Sequence, residues 1–154
     1  MMRILVADDD PDILRIIGVN LKLLGHSVLE SADGEHAIHV ASHERPDLIV
    51  LDVAMPYRDG LSILRELALL PETTDIPVVL LSGRVGIEDQ MAGWQTGAAD
   101  YLTKPFAPYD LARAIERIME MSPEERRARR DGNLALIDGL LGFHERPEGL
   151  PTPS

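Results

Sequence analysis

Cysteine is absent from the 154-residue chain, and aromatic residues make up only 4% of it: one tryptophan, three tyrosines and two phenylalanines. The first absence removes disulfides, thiolate catalysis and cysteine metal sites, and it fits a reducing compartment. The second leaves a core built from aliphatic side chains. No run comes near the roughly 20 apolar residues that a membrane-spanning helix needs. The opening "MMRILVADDD" meets its acids before any apolar stretch of leader-peptide length. Positive charge is scarce as well, with 15 Lys and Arg against 26 Asp and Glu and a formal net charge of -11. Such a field repels phosphate backbones and anionic lipid, so direct nucleic-acid binding and membrane association are not expected. Cations and basic partner surfaces fit better, and the expectation is a soluble, cytoplasmic protein.

What is present is ordinary for a globular domain: 45% hydrophobic and 27% charged residues, in a length that allows one domain and a tail. Five short apolar runs alternate with longer segments of helical period, the pattern of βα units feeding a parallel sheet. The runs are "RILVA" (3–7), "SVLES" (27–31), "DLIVL" (47–51), "IPVVLL" (76–81) and "DYLT" (100–103). The first, third and fourth are almost continuously apolar, as central strands covered on both faces should be. The second alternates and suits an edge. Asp10 is placed to cap the first helix, Pro11 suits its first position, and Ile13, Leu14, Ile17, Leu21 and Leu24 form one stripe before Gly25 ends it. Further helices are predicted after Asp33, after Asp59, over "IEDQMAGWQTG" and over "APYDLARAIERIMEM", the last with Leu111, Ile115 and Ile118 on one face. Gly83, Gly86 and Gly97 read as turn and cap glycines, whereas Gly93 inside the fourth helix weakens it locally.

Polar groups then fall at the carboxyl ends of four strands. Asp8, Asp9 and Asp10 close the first, Asp52 the third and Ser82 the fourth, and Lys104 follows the fifth. In an open parallel sheet those ends share one edge, where ligands bind. Carboxylates crowded there raise one another's pKa unless a cation joins them, and an all-oxygen cluster suits a hard ion such as Mg²⁺. Asp52, in the middle of that edge, fits a nucleophile that takes a phosphoryl group. The Lys104 ammonium and the Ser82 hydroxyl fit groups that stabilise the phosphoryl oxygens.

These residues lie in pieces, "ILVADDDPDIL", "PDLIVLDVAMPYRDGLSIL", "IPVVLLSG" and "GAADYLTKPF", whose order and spacing resemble the receiver domain of two-component response regulators from about residue 3 to residue 119. The resemblance implies a doubly wound, flavodoxin-like (βα)5 fold with strand order 2-1-3-4-5. It implies Asp8 and Asp9 as the acid pair, Asp52 as phospho-acceptor, Ser82 as switch hydroxyl, Tyr101 as switch aromatic, and Lys104 as the family's lysine. It further implies Mg²⁺ held by Asp8, Asp9, Asp52 and the backbone carbonyl of Ala54, and a cis bond from Lys104 to Pro105. Met55 and Pro56 would shape the loop after the acceptor, and Gly60 would open the next helix. Ala54 and Arg84 occupy positions that tune the lifetime of the acyl phosphate, and an alanine that cannot orient water implies slow self-hydrolysis. Such a protein is a signalling switch, not a turnover enzyme. It is fed by a sensor histidine kinase or phosphotransfer protein, and its output goes to a protein target through the face of helix four, strand five and helix five, with a homodimer as a possible form.

Two rival readings remain at this point. A haloacid dehalogenase-type phosphatase would use Asp8 and Asp10 as a DxD pair, with Asp8 as nucleophile, but it leaves "LDVAMPYRDG" unexplained. The chain is otherwise the receiver part of a DNA-binding regulator. Residues 1–119 are expected to form the receiver and 120–154 an extension, helical and then disordered, too short for an independent output domain. In it, "SPEERRARR" reads as a solvated helix opened by Ser122 and Pro123, with Glu125 placed to pair with Arg129, and Leu134, Ile137 and Leu141 form a stripe. Trp94 reads as packing beneath the fourth helix, and His36, His39 and His43 as a solvated face of the second rather than a metal site.

Overall fold

The computed structural model describes residues 1–55, 58–83, 95, 97–126 and 128. The described elements are β1 (Arg3–Ala7), α1 (Pro11–Leu23), β2 (Ser27–Ser31), α2 (Gly34–Glu44), β3 (Leu48–Asp52), α3 (Gly60–Leu69), β4 (Val78–Ser82), β5 (Asp100–Thr103) and α4 (Pro108–Glu120). The helix numbered α4 is the fifth of the predicted helices. Of the predicted fourth helix only residues 95 and 97 are described; Gly86, Gly93 and Trp94 lie outside the described residues, as do Pro56, Arg84, Arg129 and the Leu134, Ile137 and Leu141 stripe.

The five strands run parallel in the order β2-β1-β3-β4-β5, the doubly wound topology expected from the alternating pattern. Alternation along the strands sends side chains to two apolar layers. Leu5, Ala7, Ile49, Leu51 and Leu80 pack with Ile38, Ile63 and Leu67 of α2 and α3. Ile4, Val6, Val50, Val79 and Leu81 pack with Ile17 and Leu21 of α1 and with Leu111, Ile115 and Ile118 of α4. β3 and β4 are buried along their whole length, which is why their sequences are unbroken apolar runs, whereas β2 at the edge is mostly half-buried.

Caps set the helix boundaries. The Asp10 side chain accepts a hydrogen bond from the Asp12 amide at 2.9 Å with Pro11 at the first helical position, and α1 ends before Gly25, whose φ of 92° suits glycine. Asp33 and Asp59 cap α2 and α3 in the same way. Gly97 has φ 115°, in keeping with its reading as a turn glycine. One expectation on α1 needs correction: Leu24 is 55% exposed, because the helix ends at Leu23 and Leu24 turns out of the stripe as the C-cap. Past α4, at the helix start expected at Ser122 and Pro123, Glu125 pairs with Ser122: the Glu125 amide donates to Ser122 Oγ at 3.1 Å and the Ser122 amide to Glu125 Oε1 at 3.2 Å.

Gly60 is the tightest fit between fold and site. A Cβ there would collide with the Asp52 carbonyl oxygen and would lie 2.6 Å from Val53 Cα, so the start of α3 sits directly on the backbone that carries Asp52. Both obstacles are main chain and cannot swing aside. Gly60→Ala is expected to cost about 2 kcal/mol or more, read as a lowered urea midpoint with an unchanged denaturant slope.

Candidate functional site

The register of the sheet assembles the site. Ala7 pairs with Leu51 across β1 and β3, which sets Asp8 beside Asp52 one step further on. Asp52 pairs with Leu81, and Ser82 with Thr103, so Ser82 and Lys104 arrive at the same edge from β4 and β5. The Lys104 amide donates to the Ser82 carbonyl at 2.7 Å, which fixes where the lysine leaves β5, and the Lys104–Pro105 bond is cis. From there the ammonium reaches Asp8 Oδ2 and Asp52 Oδ1, each at 3.2 Å.

Both carboxylates are buried, Asp8 at 0% and Asp52 at 2% exposure, while Asp9 is exposed. Burial raises the pKa of Asp8 above the usual carboxylate value, and repulsion from Asp52 adds to this. The Asp10 amide, which donates to Asp8 Oδ1 at 2.9 Å, and the Lys104 ammonium act in the opposite direction. Burial would lower the pKa of Lys104, but attraction to Asp52 and Asp8 together with the two hydrogen bonds outweighs it, and the ammonium is held above the ordinary lysine value.

The oxygens are used unequally. Both oxygens of Asp8 are engaged, one by the Asp10 amide and one by Lys104. Asp52 Oδ1 is shared between Lys104 and the Ala54 amide at 3.3 Å, while Oδ2 takes no hydrogen bond among the described residues. Asp8, Asp9 and Asp52 each offer a carboxylate oxygen within 4.8 Å of the others. That is a hard, all-oxygen donor set of the kind that suits Mg²⁺. Asp10 stands apart as the cap of α1.

The remaining predicted residues take separate places. Ser82 is buried at the end of β4, one residue beyond the partner of Asp52. Tyr101 is half-buried on β5 against the α2/α3 layer. Ala54 lies two residues past Asp52. His36, His39 and His43 are exposed, with His36 Nδ1 2.9 Å from Ser31 Oγ, as a solvated helix face requires. Arg58 was not foreseen. It stands in the loop between β3 and α3 and bonds to Ser62 and Glu66 of α3 and to Glu35, a partner 23 residues away that no local spacing in the sequence announces.

The raised pKa of Asp8 has a definite sign. Below 3.8 the group is neutral in both folded and unfolded chains and costs nothing. As pH rises through the raised folded value, the cost of holding a buried carboxylate appears in full. Asp8→Asn is therefore expected to raise metal-free stability at neutral pH by about 1 kcal/mol. The gain should fade on acidification toward the ordinary aspartate value, as urea titrations across that range would record.

A family model described as the response regulator receiver domain matches residues 4–116. The transcriptional regulatory protein PrrA of Mycobacterium tuberculosis is 41% identical over 76% of this chain and 49% of its own length. The DNA-binding dual master transcriptional regulator RpaA of Synechocystis is 37% identical over 77% of this chain and 49% of its own length. The chain thus spans about half the length of the curated relatives it matches. Among solved structures, a response regulator from Chloroflexus aurantiacus superposes with a TM-score of 0.74 at 30% identity, covering 78% of this chain and 98% of that one. The receiver domain of a sensor histidine kinase from Pseudomonas aeruginosa, solved with a magnesium ion in its active-site cleft, gives 0.72 at 32% identity, covering 78% of this chain and 98% of that one. With the strand order, the paired acids and the lysine at the sheet edge, these matches establish that the chain belongs to the response regulator receiver domain family.

Proposed function

We propose that Asp52 accepts a phosphoryl group from a phosphohistidine on a sensor histidine kinase or a phosphotransfer protein, in a reaction that requires Mg²⁺. The observation that carries the reading is the asymmetry of the two buried carboxylates: Asp8 has both oxygens engaged, whereas Asp52 Oδ2, beside the Lys104 ammonium, takes no hydrogen bond among the described residues. The open oxygen attacks phosphorus. The bond from phosphorus to the donor imidazole nitrogen breaks, and its electron pair leaves with the nitrogen. Lys104 meets the charge on the phosphoryl oxygens and the Ser82 hydroxyl donates to one of them. Asp8, Asp9, Asp52 and the Ala54 carbonyl would hold the metal, and bound Mg²⁺ supplies positive charge against the same oxygens.

The same asymmetry counts against the phosphatase reading, in which Asp8 would be the nucleophile and Asp10 its partner. Each oxygen of Asp8 already accepts a hydrogen bond, which makes it a poor nucleophile, and Asp10 is committed to α1. Signalling follows from a small rearrangement: Ser82 is drawn toward the phosphoryl group, and Tyr101 turns further inward. The face of the fourth predicted helix, β5 and α4 then changes its affinity for a protein target, and a homodimer is one form that face can take. The chain catalyses only its own phosphorylation and slow dephosphorylation, and a cytoplasmic location fits its composition. No described helix is long and apolar enough to cross a membrane. A second reading, in which this receiver controls a DNA-binding domain elsewhere in a longer protein, is favoured by relatives named as transcriptional regulators that are about twice as long as the match.

Incubation with acetyl phosphate or phosphoramidate and Mg²⁺, followed by intact mass and site mapping, is expected to find one phosphoryl group on Asp52 and none in Asp52→Ala. An adduct on Asp8, or phosphate-ester turnover that survives Asp52→Ala, would sink the proposal. Because Asp8 must lose its proton to hold a cation and its pKa is raised, Mg²⁺ affinity should fall as pH drops through that raised value. Calorimetric Mg²⁺ titrations at several pH values check this.

A further inference from the structure

Building on the metal site proposed above, we propose that Arg58 is a positioning residue for that site, acting through the loop between β3 and α3. That loop carries Asp52 at its start and Ala54 two residues on, so its shape decides where the Ala54 amide and carbonyl stand relative to the carboxylates. Its inner part is fixed by main-chain bonds, from the Val53 amide to Leu81 O at 2.9 Å and from the Gly60 amide to Val53 O at 2.7 Å, and by the buried side chain of Met55. On the outer arm, Arg58 makes a side-chain anchor beside the Asp59 cap of α3. Its Nη1 donates to Glu35 Oε1 at 2.7 Å, and its Nη2 donates to Ser62 Oγ at 3.0 Å, Ser62 O at 3.3 Å and Glu66 Oε1 at 3.1 Å.

The anchor is well placed for the purpose. Glu35 lies in the first turn of α2, while Ser62 and Glu66 lie on α3, so one guanidinium ties the loop to both helices of one face at the edge where the site sits. The Arg58 side chain is only 22% exposed, and its bonds to Ser62 and Glu66 are partly buried, whereas Glu35 holds its end of the anchor from solvent. Gly34, next to Glu35, makes room for Ile63 of α3: a Cβ there would lie 2.5 Å from Ile63 Cδ1 and 3.0 Å from Ile63 Cγ1, so the start of α2 packs closely on α3 beside the Arg58 anchor. The geometry needs a fork, with one nitrogen turned to α2 and the other to α3. A lysine ammonium carries the charge but cannot reproduce that arrangement.

The test separates positioning from two simpler roles by sign. If Arg58 were only a nearby positive charge, removing it would tighten Mg²⁺ binding at an acidic site. If it only added stability, Arg58→Ala would lower the melting temperature and leave the Mg²⁺ Kd of the folded chain unchanged. As a positioning residue, Arg58→Ala is expected to raise the Mg²⁺ Kd roughly three- to ten-fold, in the range seen when groups supporting metal ligands are lost. In the metal-free protein, the amides of Val53, Ala54 and Met55 should then exchange faster with solvent.

Isothermal titration calorimetry of Mg²⁺ into the full chain, well below the melting temperature, gives the Kd without requiring phosphorylation. A Kd for folded Arg58→Ala equal to or below that of the wild type overturns the proposal. Arg58→Lys decides in the same way if the alanine variant does not fold. A wild-type chain that produces no Mg²⁺ heat would instead overturn the metal reading on which the inference rests, a result distinct from a variant that binds as the wild type does.

Discussion

The Lys104 ammonium, held 3.2 Å from each of two buried carboxylates, is the interaction on which the site depends. Without it, Asp8 and Asp52 would be like charges at neighbouring strand ends, shielded from water and repelling each other. Two buried anions with one cation still leave a net negative charge, so the pairing is incomplete. Burial raises the pKa of Asp8 and repulsion from Asp52 adds to it, so the site has an electrostatic reason to take a second positive charge. Affinity for a divalent ion is thus built from the same burial that makes the metal-free site costly.

The sheet fixes that arrangement. In a parallel sheet every strand ends on the same edge, and the order β2-β1-β3-β4-β5 puts β1 and β4 on either side of β3. Asp52 therefore has Asp8 on one flank and Ser82 on the other, and β5 delivers Lys104 past Ser82 by a main-chain bond. The two apolar layers hold these strands in register over buried side chains. A one-residue slip of β3 would send Asp52 into a core and Leu51 to the edge.

Most of this was legible in the sequence, because it depends on period and on strand ends. Unbroken apolar runs marked β1, β3 and β4, the alternating run marked the edge strand, and the Asp10-Pro11 pair marked the start of α1. The acids, the hydroxyl and the lysine were visible because each directly follows or closes a strand. Legibility ended where a residue's role depends on what the fold brings to it from far along the chain. Arg58 reads as a loop cation until the fold places Glu35, 23 residues away, against it. Gly60 reads as a helix-opening glycine, and only the structure shows the Asp52 carbonyl pressed against the place its Cβ would occupy. Leu24 reads as core by period, yet it falls one residue past the last turn of α1.

The division of labour among the three consecutive aspartates follows from the same local geometry. The Asp10 amide donates to Asp8, so starting α1 and satisfying the buried carboxylate are one event: the turn that caps the helix also engages an oxygen of Asp8. That leaves Asp9 exposed at the mouth and Asp8 locked beneath it. A carboxylate locked on both oxygens can hold a cation through its remaining lone pairs, but it is a poor nucleophile. Asp52, tied by one oxygen among the described residues, keeps the freedom that forming a new bond requires. Which aspartate reacts is thus decided by the hydrogen bonds each one already has, since both sit buried at the same sheet edge.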